Sequence, residues 1–347
     1  LKNAAMRQLT FEEAGRYAWR EVPEPKITAP EQALVRPVAV ACCDLDVAVA
    51  RGRLPMPPGH AVGHEGLAEV VAVGDEVGSV TVGDRVVVPF QISCGDCREC
   101  RRGVTGSCGS VPLMAMYGMA PLAGLDGGGF MSDLVLVPYA DGMLMPIPDA
   151  ADPVAIASLS DNIPDGWRAV GPYSAELAGL DPVDRRVLVV GRLSIGLYAA
   201  AFAAALGCHV DYLDTDAQRL AVAEKLGAVV HDSAKPDKSW DPYPVTVNTS
   251  GDRALLAATL RATWPDGVCT DTGIYPEYNV EMPLLSMYTR GVRFVTGRVS
   301  ARAVMPQVVE LLAGGCDLSP AVDRVVPWED APSVWPTMAG KTVFTRA

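Results

Sequence analysis

The chain has 347 residues, of which 49% are hydrophobic and 6% aromatic, and its formal net charge is −12. This length allows two domains with separate cores, and the composition is typical of a soluble α/β protein. The negative charge, which no basic run offsets, argues against nucleic acid or an anionic membrane as the main partner. No leader-like segment is recognisable and the longest apolar run, 195–208, is too short to span a bilayer, so we expect a cytoplasmic protein without membrane contact.

Short strands are predicted through the first 90 residues. Apolar and polar positions alternate between Pro and Gly breaks in 7–40, and the alternation continues in 67–73 and 84–88. Gly-Asp pairs at 74–75 and 83–84 mark turns between these segments. Several short strands at this spacing predict a small β-barrel-like domain.

A Gly-His-Glu tripeptide at 63–65 follows Cys43 in the chain. A thiolate and a neutral imidazole are zinc ligands, and a catalytic zinc keeps one position for water or substrate. Because so short a tripeptide recurs by chance, taken alone it favours a solvated polar turn between two strands over a metal site. The pattern alone leaves both interpretations open, so the metal site depends on support from the rest of the chain.

Four of the nine cysteines follow the spacing C-x2-C-x2-C-x7-C, at Cys94, Cys97, Cys100 and Cys108. Three thiolates two residues apart can surround one ion while a loop returns the fourth, which predicts a closed structural zinc site. The alternatives are a pair of disulfides or an iron–sulfur cluster. Disulfides are disfavoured in the cytosol, and the spacing differs from the ferredoxin patterns.

The order of these features resembles the zinc-dependent alcohol dehydrogenases of the medium-chain dehydrogenase/reductase superfamily. That order is a lone cysteine, Gly-His-Glu, a Pro-Phe-x3-Cys-Gly segment from Pro89, the four-cysteine lobe and a glycine-rich turn at 126–132. The resemblance covers essentially the whole chain. It implies two zinc ions per chain, one catalytic and one structural.

The resemblance selects ligands for the catalytic zinc. In the family the cysteine ligand stands nine residues before the Gly of an Arg-Gly pair, and counting back from Gly52 gives Cys43. The neighbouring Cys42 is then a buried small side chain. His64 is the histidine ligand, and Asp46 matches the residue that orients it. His60 is expected to be a loop residue, because the motif is already complete.

Two positions depart from the family pattern. Asp44 replaces the usual Gly, and Leu45 replaces the Ser or Thr that relays the substrate proton. Leucine can neither donate nor accept a proton, so the proton must leave by another route. We expect Asp44 to point away from this path, on the assumption that the segment is extended and neighbouring side chains face opposite sides.

A Leu-Ser-Asp-x-x-Pro-x-Gly segment at 159–166 resembles the formaldehyde dehydrogenase-like branch of the family. In that branch the aspartate is a zinc ligand, which implies Asp161 beside Cys43 and His64. Glu65 is then either an inner ligand or a neighbour that can replace one. Without the resemblance, Asp161 is equally well explained as the N-cap of a helix.

The second half begins with the apolar segment 187–190, a Gly turn from Gly191, an Ala-rich helix and a further strand that ends at Asp214. This is the plan of a dinucleotide-binding βαβ unit, in which the helix N-terminus faces the pyrophosphate. Leu193 replaces the middle glycine of the motif, and Arg192 could supply a compensating charge. The predicted cofactor contacts are Gly191, Arg192, Ser194, Ile195, Gly196, Asp214 and Arg219.

Asp214 lies 23 residues after Gly191, where the family's acidic residue binds the ribose diol of adenosine. A 2′-phosphate would meet this carboxylate, so NAD is preferred over NADP. Further strands at 245–251, 266–273 and 292–297 alternate with helical segments, which predicts a parallel, doubly wound sheet. A helix at 305–313 and a closing strand are expected to return to the first domain.

Taken together, we predict an α/β protein with a GroES-like β-rich catalytic domain at 1–157 and 298–347 and a Rossmann NAD-binding domain at 158–297. The structural-zinc lobe occupies about 90–112. The predicted function is hydride transfer between NAD(H) and a small alcohol, aldehyde or ketone, in a homodimer or homotetramer. Phe90 and Leu54 are candidates for the substrate wall. The alternatives are a polyol or sugar-type dehydrogenase of the same family and a non-catalytic nucleotide-binding protein.

Overall fold

The computed structural model describes residues 4–119, 125, 127–148, 150–192, 194–275 and 277–346. Packing divides the chain into two units, one of Leu1–Pro164, Ser300–Val309 and Val322–Ala347 and the other of Asp165–Val299 and Glu310–Ala321. The domain limits predicted from the sequence stay a prediction. No helix in the described part of the chain is long and apolar enough to cross a membrane.

The first unit begins with short strands, as the alternating pattern predicted. In its third strand, even-spaced apolar side chains face the core and the polar ones between them are more exposed. The elements up to residue 146 are β1 (Ala5–Glu13), β2 (Arg16–Pro23), β3 (Ala33–Ala41), α1 (Asp44–Ala50), β4 (Glu65–Val73), β5 (Arg85–Val88), α2 (Arg98–Arg101), β6 (Val135–Val137), α3 (Ala140–Met143) and β7 (Met145–Pro146).

The second unit alternates helices and strands. Its elements are α4 (Asn162–Val170), which begins at the end of the first unit, α5 (Ser174–Ala178), β8 (Arg186–Val190), α6 (Ser194–Ala205), β9 (His209–Asp214), α7 (Ala217–Lys225), β10 (Val229–Asp232), β11 (Tyr243–Asn248), α8 (Arg253–Ala262), β12 (Thr263–Asp271), α9 (Leu284–Arg290) and β13 (Arg293–Thr296).

These strands form a parallel sheet in the order β10-β9-β8-β11-β12-β13 among the described residues. This is the doubly wound dinucleotide-binding order, in which ligands bind outside the carboxyl ends of the strands where the order reverses. The central strands β8 and β11 are almost continuously apolar and buried, because helices cover both faces of such a sheet. The fold class predicted from the sequence is confirmed.

The chain end returns to the first unit through α10 (Ala301–Ala313), β14 (Arg324–Pro327), α11 (Ala331–Val334) and β15 (Thr342–Thr345). The predicted helix at 305–313 is present and begins earlier, at Ala301. The closing strand is β15, which pairs antiparallel with β3. In the described part of the first unit, the main sheet runs β14-β15-β3-β4-β5-β7, with β6 paired to β3.

Candidate active site

The four residues predicted around the catalytic zinc come together in the first unit. Cys43 immediately precedes α1, Glu65 begins β4, and Asp161 follows the short 3-10 turn Ala157–Ser160. One ligand atom from each of Cys43, His64, Glu65 and Asp161 lies within 4.8 Å of the others. His64 and Glu65 are almost completely buried. The arrangement gives a compact set of one thiol, one imidazole and two carboxylates.

A glycine fixes the backbone ahead of this pair. Gly63 has a φ of +87°, and a Cβ at this position would lie 3.0 Å from the Met131 side chain and 3.2 Å from that of Val40. Only glycine adopts this conformation in so tight a place without strain. The Gly of Gly-His-Glu is therefore required by the turn that leads His64 and Glu65 into the site.

Asp46 supports both Cys43 and His64. Its Oδ2 accepts a hydrogen bond of 2.9 Å from the backbone N–H of Cys43, and its Oδ1 lies 3.5 Å from Nδ1 of His64. Burial opposes the charged imidazole, yet Asp46 and Asp161 outweigh it and raise the pKa of His64 well above its usual range. Nδ1 of His64 makes no hydrogen bond to the described residues, so the Asp46 contact is an electrostatic one. The position of Asp46 is compatible with its predicted role of orienting His64.

The donor set suits a zinc ion. Burial raises the pKa of Cys43 to about 12, although His64 opposes the rise. Such a thiol becomes a thiolate only beside a strong positive charge, which a metal ion supplies. Sulfur, nitrogen and carboxylate oxygen are the ligand types that zinc prefers in catalytic sites. The residues present therefore fit the metal that the family resemblance implies.

Three polar residues at this site were not predicted from the sequence. Nζ of Lys341 lies 3.0 Å from Oε2 of Glu65, and the hydroxyl of Ser158 donates a hydrogen bond to the same oxygen. Burial raises the pKa of Glu65 to about 7, and Lys341 opposes that rise. Asn162 donates to Oδ2 of Asp161 at 2.9 Å and to Sγ of Cys43 at 3.4 Å. The only sequence signal for Lys341 is its place before the apolar strand β15.

The segment around Asp44 was predicted to be extended, and this prediction was wrong. Asp44 and Leu45 belong to helix α1 and not to an extended segment, so their side chains do not face opposite sides. Cys43 stands at the N-cap position of this helix, and its backbone is held by Asp46 within a capping box. The helix begins here because the Asp46 side chain satisfies the N–H of Cys43.

The remaining predicted neighbours lie in the first unit. Cys42 is buried, as expected, and its Sγ accepts from the backbone N–H of Thr342. His60 lies in a loop, where Nδ1 is 3.0 Å from the carbonyl oxygen of Pro57. The Phe90 ring lies 6.1 Å from the His64 ring, centre to centre. Leu54 is 37% exposed, and its place in a substrate wall stays a prediction.

The cysteines of the four-cysteine lobe also converge. One sulfur from each of Cys94, Cys97, Cys100 and Cys108 lies within 4.8 Å of the others, and all nine cysteines are free of disulfides. Backbone N–H groups donate to the sulfurs. The N–H of Cys97 donates to Sγ of Cys94, and the N–H of Gly109 donates to Sγ of Cys97, each at 3.3 Å. Against the effect of burial, hydrogen bonds from Ser110 and the backbone lower the pKa of Cys94 to about 6. The pKa of Cys97 is also lowered by backbone hydrogen bonds, whereas burial raises the pKa of Cys100, so the lobe stabilises the thiolates of Cys94 and Cys97.

The predicted dinucleotide contacts lie at the carboxyl edge of the parallel sheet in the second unit. A Cβ on Gly191 would clash with the Tyr212 hydroxyl and lie 2.9 Å from Oδ2 of Asp214, so the turn and the acidic residue are adjacent. Ser194, Ile195 and Gly196 form the first turn of α6. Arg192 has a φ of +136°, a conformation that favours glycine, and its Nη1 lies 3.4 Å from Asp252. Leu193 lies outside the described residues.

Asp214 and Arg219 form a tight ion pair. Nε and Nη2 of Arg219 lie 2.7 and 2.9 Å from the two carboxylate oxygens, and the N–H groups of Thr215 and Asp216 donate to Oδ1. Although burial opposes the charged form, Arg219 and these N–H groups lower the pKa of Asp214. Gly191, Arg192 and Asp214 line the same shallow crevice. Asp214 and Arg219 were each predicted as cofactor contacts, but the ion pair between them was not predicted.

Comparisons with known proteins agree with this architecture. The sequence matches the alcohol dehydrogenase GroES-like domain over residues 29–149 and the zinc-binding dehydrogenase domain over 194–314. Zinc-type alcohol dehydrogenase B of Aspergillus flavus is 28% identical over 343 residues, 94% of this chain and 77% of that protein. Alcohol dehydrogenase TADH from Thermus sp. ATN1 has a TM-score of 0.88 at 27% identity and covers 99% of this chain and 100% of its own.

A glutathione-independent formaldehyde dehydrogenase of Pseudomonas aeruginosa is 35% identical over 235 residues. The match covers 64% of this chain and 57% of that enzyme, so the shared part is little more than half of the relative's length. The fold and the two clusters of metal-ligating side chains define a zinc-binding dehydrogenase scaffold. The chain belongs to the zinc-dependent alcohol dehydrogenase family of the medium-chain dehydrogenase/reductase superfamily.

Proposed function

We propose that this protein is a zinc- and NAD-dependent oxidoreductase that interconverts a small alcohol and its aldehyde or ketone. The observation that carries the proposal is the buried set of Cys43, His64, Glu65 and Asp161. Zinc held by Cys43, His64 and Asp161 would polarise the substrate oxygen as a Lewis acid, and NAD would accept the hydride. Phe90 beside His64 gives the site an apolar wall, which suits a small substrate with little polarity.

The chain's own residues do the positioning. Asp46 holds the Cys43 backbone and faces His64, while Asn162 holds the Asp161 carboxylate beside the Cys43 sulfur. Interactions of this kind around a metal's ligands fix their orientation and charge. Leu45 carries no exchangeable proton, so the substrate proton leaves by a route that does not include the usual hydroxyl.

The experiment that tests this function is turnover by the purified protein. NADH formation is followed by its absorbance with a panel of small alcohols, and NADH loss with the matching aldehydes. We expect turnover with at least one pair. Polyols in the same panel address the polyol-type alternative. Binding of NADH without turnover of any substrate would instead support a non-catalytic nucleotide-binding protein and contradict the proposal.

We expect two zinc ions per chain that differ in lability. The lobe would hold its ion with four sulfurs and no open position, whereas the Cys43 site would keep one position for water or substrate. A chelator should therefore remove one zinc per chain quickly, with loss of turnover and little change in circular dichroism. Elemental analysis during the treatment measures this. One zinc or none in untreated protein would contradict the expectation.

We expect a preference for NAD over NADP that depends on Asp214. In Asp214→Ser the guanidinium of Arg219 loses its two short hydrogen bonds and keeps only the longer contact of 3.6 Å with Asp216, so it becomes available to a 2′-phosphate. Charge-assisted hydrogen bonds contribute about 1.5–3 kcal/mol, so the ratio of kcat/KM for NAD over NADP should fall by about 10- to 100-fold. Steady-state kinetics with both cofactors measures the ratio.

The control for this prediction is the double variant Asp214→Ser/Arg219→Gln. It removes the cation as well, so the gain with NADP should disappear while affinity for NAD stays low. Equal affinities of the unmutated protein for both cofactors would show that Asp214 does not face the ribose.

We propose a homodimer or homotetramer, with β13 in the interface. This strand is at one edge of the parallel sheet, and unpaired edges are usually covered. Large apolar side chains are exposed nearby, including Leu285 at 77% and Tyr288 at 86%. Tyr288→Glu should shift sedimentation from oligomer to monomer. The matched control is Val229→Glu, on the strand β10 at the opposite edge, which should leave the oligomer intact. An unmutated protein that sediments as a monomer would refute the interface.

A further inference from the structure

A buried lysine at the end of the chain lies against the proposed zinc site. The Lys341 side chain is 3% exposed, and its Nζ is 2.8 Å from the carbonyl oxygen of Cys42. It is also 3.0 Å from Oε2 of Glu65 and 2.9 Å from Oδ1 of Asn162. A lysine ammonium has three N–H donors, and each has an acceptor here. Burying this charge is costly, so its fixed position requires an explanation.

Both the backbone and the side chain of Lys341 are fixed by hydrogen bonds. Its backbone N–H donates to Asp323, and the next residue begins β15, which pairs with β3 just before Cys42 and Cys43. Through Asn162 the ammonium also reaches two of the proposed ligands, because the Asn162 amide donates to Asp161 and to the Cys43 sulfur. Lys341 therefore contacts Glu65 directly, and Asp161 and Cys43 through the Asn162 side chain.

The charges explain the arrangement. Among the four proposed donors, the Cys43 thiolate, Glu65 and Asp161 carry three negative charges. A zinc ion supplies two positive charges, and the Lys341 ammonium supplies the third. Removing one partner of a buried ion pair leaves the other charge without compensation. Without Lys341, the nearest cation for Glu65 would be the metal itself.

We infer that Lys341 is a positioning residue that holds Glu65 away from the zinc and so keeps one coordination position available to substrate. Ser158 assists, since its hydroxyl donates to the same carboxylate oxygen. If Glu65 became a ligand, the protein would supply four donors and the site would be closed like a structural one. This inference rests on the proposed function, because it assigns a role at that same site.

The decisive variant is Lys341→Met, compared with Lys341→Arg and with Lys341→Met/Glu65→Gln. In Lys341→Met we expect both zinc ions to remain, kcat to fall by about 10- to 100-fold, and a chelator to remove the labile zinc about 10-fold more slowly. Co²⁺ exchanged into the labile site should show an altered visible spectrum. The double variant should recover the spectrum, the release rate and part of kcat, because the glutamine amide has no charge to neutralise. Lys341→Arg should resemble the unmutated protein.

The inference is overturned if Lys341→Met has the cobalt spectrum and zinc release rate of the unmutated protein. It is also overturned if that variant loses the labile zinc, or if Glu65→Gln does not restore what Lys341→Met changes. Should Lys341→Met not fold, Ser158→Ala tests the same point: it should change the spectrum and the release rate in the same direction, and unchanged values would overturn the inference. Absence of labile zinc or of turnover in the unmutated protein would instead refute the proposed function.

Discussion

Cys43→Ala is expected to reduce kcat/KM by about 1,000-fold or more, because a Lewis-acid metal contributes several kcal/mol and each 1.36 kcal/mol corresponds to a factor of ten. The variant should contain one zinc per chain, held by the four-cysteine lobe. Its fold should persist, since Cys43 lies between β3 and α1 and its sulfur contributes no strand pairing. Turnover assays and elemental analysis on the same preparation measure both effects.

The neighbouring cysteine provides the matched control. Cys42 is equally buried, but its sulfur contacts Gly340 and Thr342 instead of His64. Cys42→Ala should therefore keep two zinc ions and most of the activity, with a small loss of stability. If the two variants behaved alike, or if Cys43→Ala kept both metals and full turnover, Cys43 would not be the ligand.

Cys100→Ala is expected to have the largest effect on stability. It removes one of four sulfurs from the closed lobe, and structural zinc binding is coupled directly to folding. Loss of a metal is among the few changes that cost more than about 3 kcal/mol. Thermal unfolding should shift down by several degrees, and zinc content should fall to one per chain. Some activity should survive at low temperature, because no member of the Cys43 site belongs to the lobe.

A cysteine outside the lobe serves as the control. Cys316 is partly buried and lies in neither metal-binding group, so Cys316→Ala should keep both zinc ions and nearly the same melting temperature. If Cys100→Ala retained two zinc ions and its stability, the four sulfurs would not form a metal site.

Residues close together in sequence were the predictable part of this site. The histidine and glutamate are adjacent, and the lobe cysteines lie within fifteen positions, so local spacing was sufficient to select them. Cys43 and Asp161 needed the resemblance to a family, since a single cysteine or aspartate has no pattern of its own. The sheet of the second unit was predictable because a buried parallel strand is a short apolar run between helices.

The parts that were missed depend on contacts that spacing does not encode. Lys341 and Glu65 are 276 positions apart, and a lysine before an apolar strand usually lies at a surface. The helix at Asp44 was missed because its start depends on the Asp46 side chain and the Cys43 N–H, a local hydrogen bond within a segment that follows a strand. The pairing of Asp214 with Arg219 arises at the junction between β9 and α7. Neither the strand period of about 2 residues nor the helix period of about 3.6 residues describes such a junction.

The antiparallel pairing of β15 with β3 has a consequence for the order in which the protein forms during synthesis. The contact between Lys341 and Cys42 spans 299 positions, so it can be made only after residue 341 has left the ribosome. The strands of the second unit are all present before that moment and can pair earlier. The sheet of the second unit can thus form while Glu65 still lacks its buried counter-ion, which arrives only with residue 341.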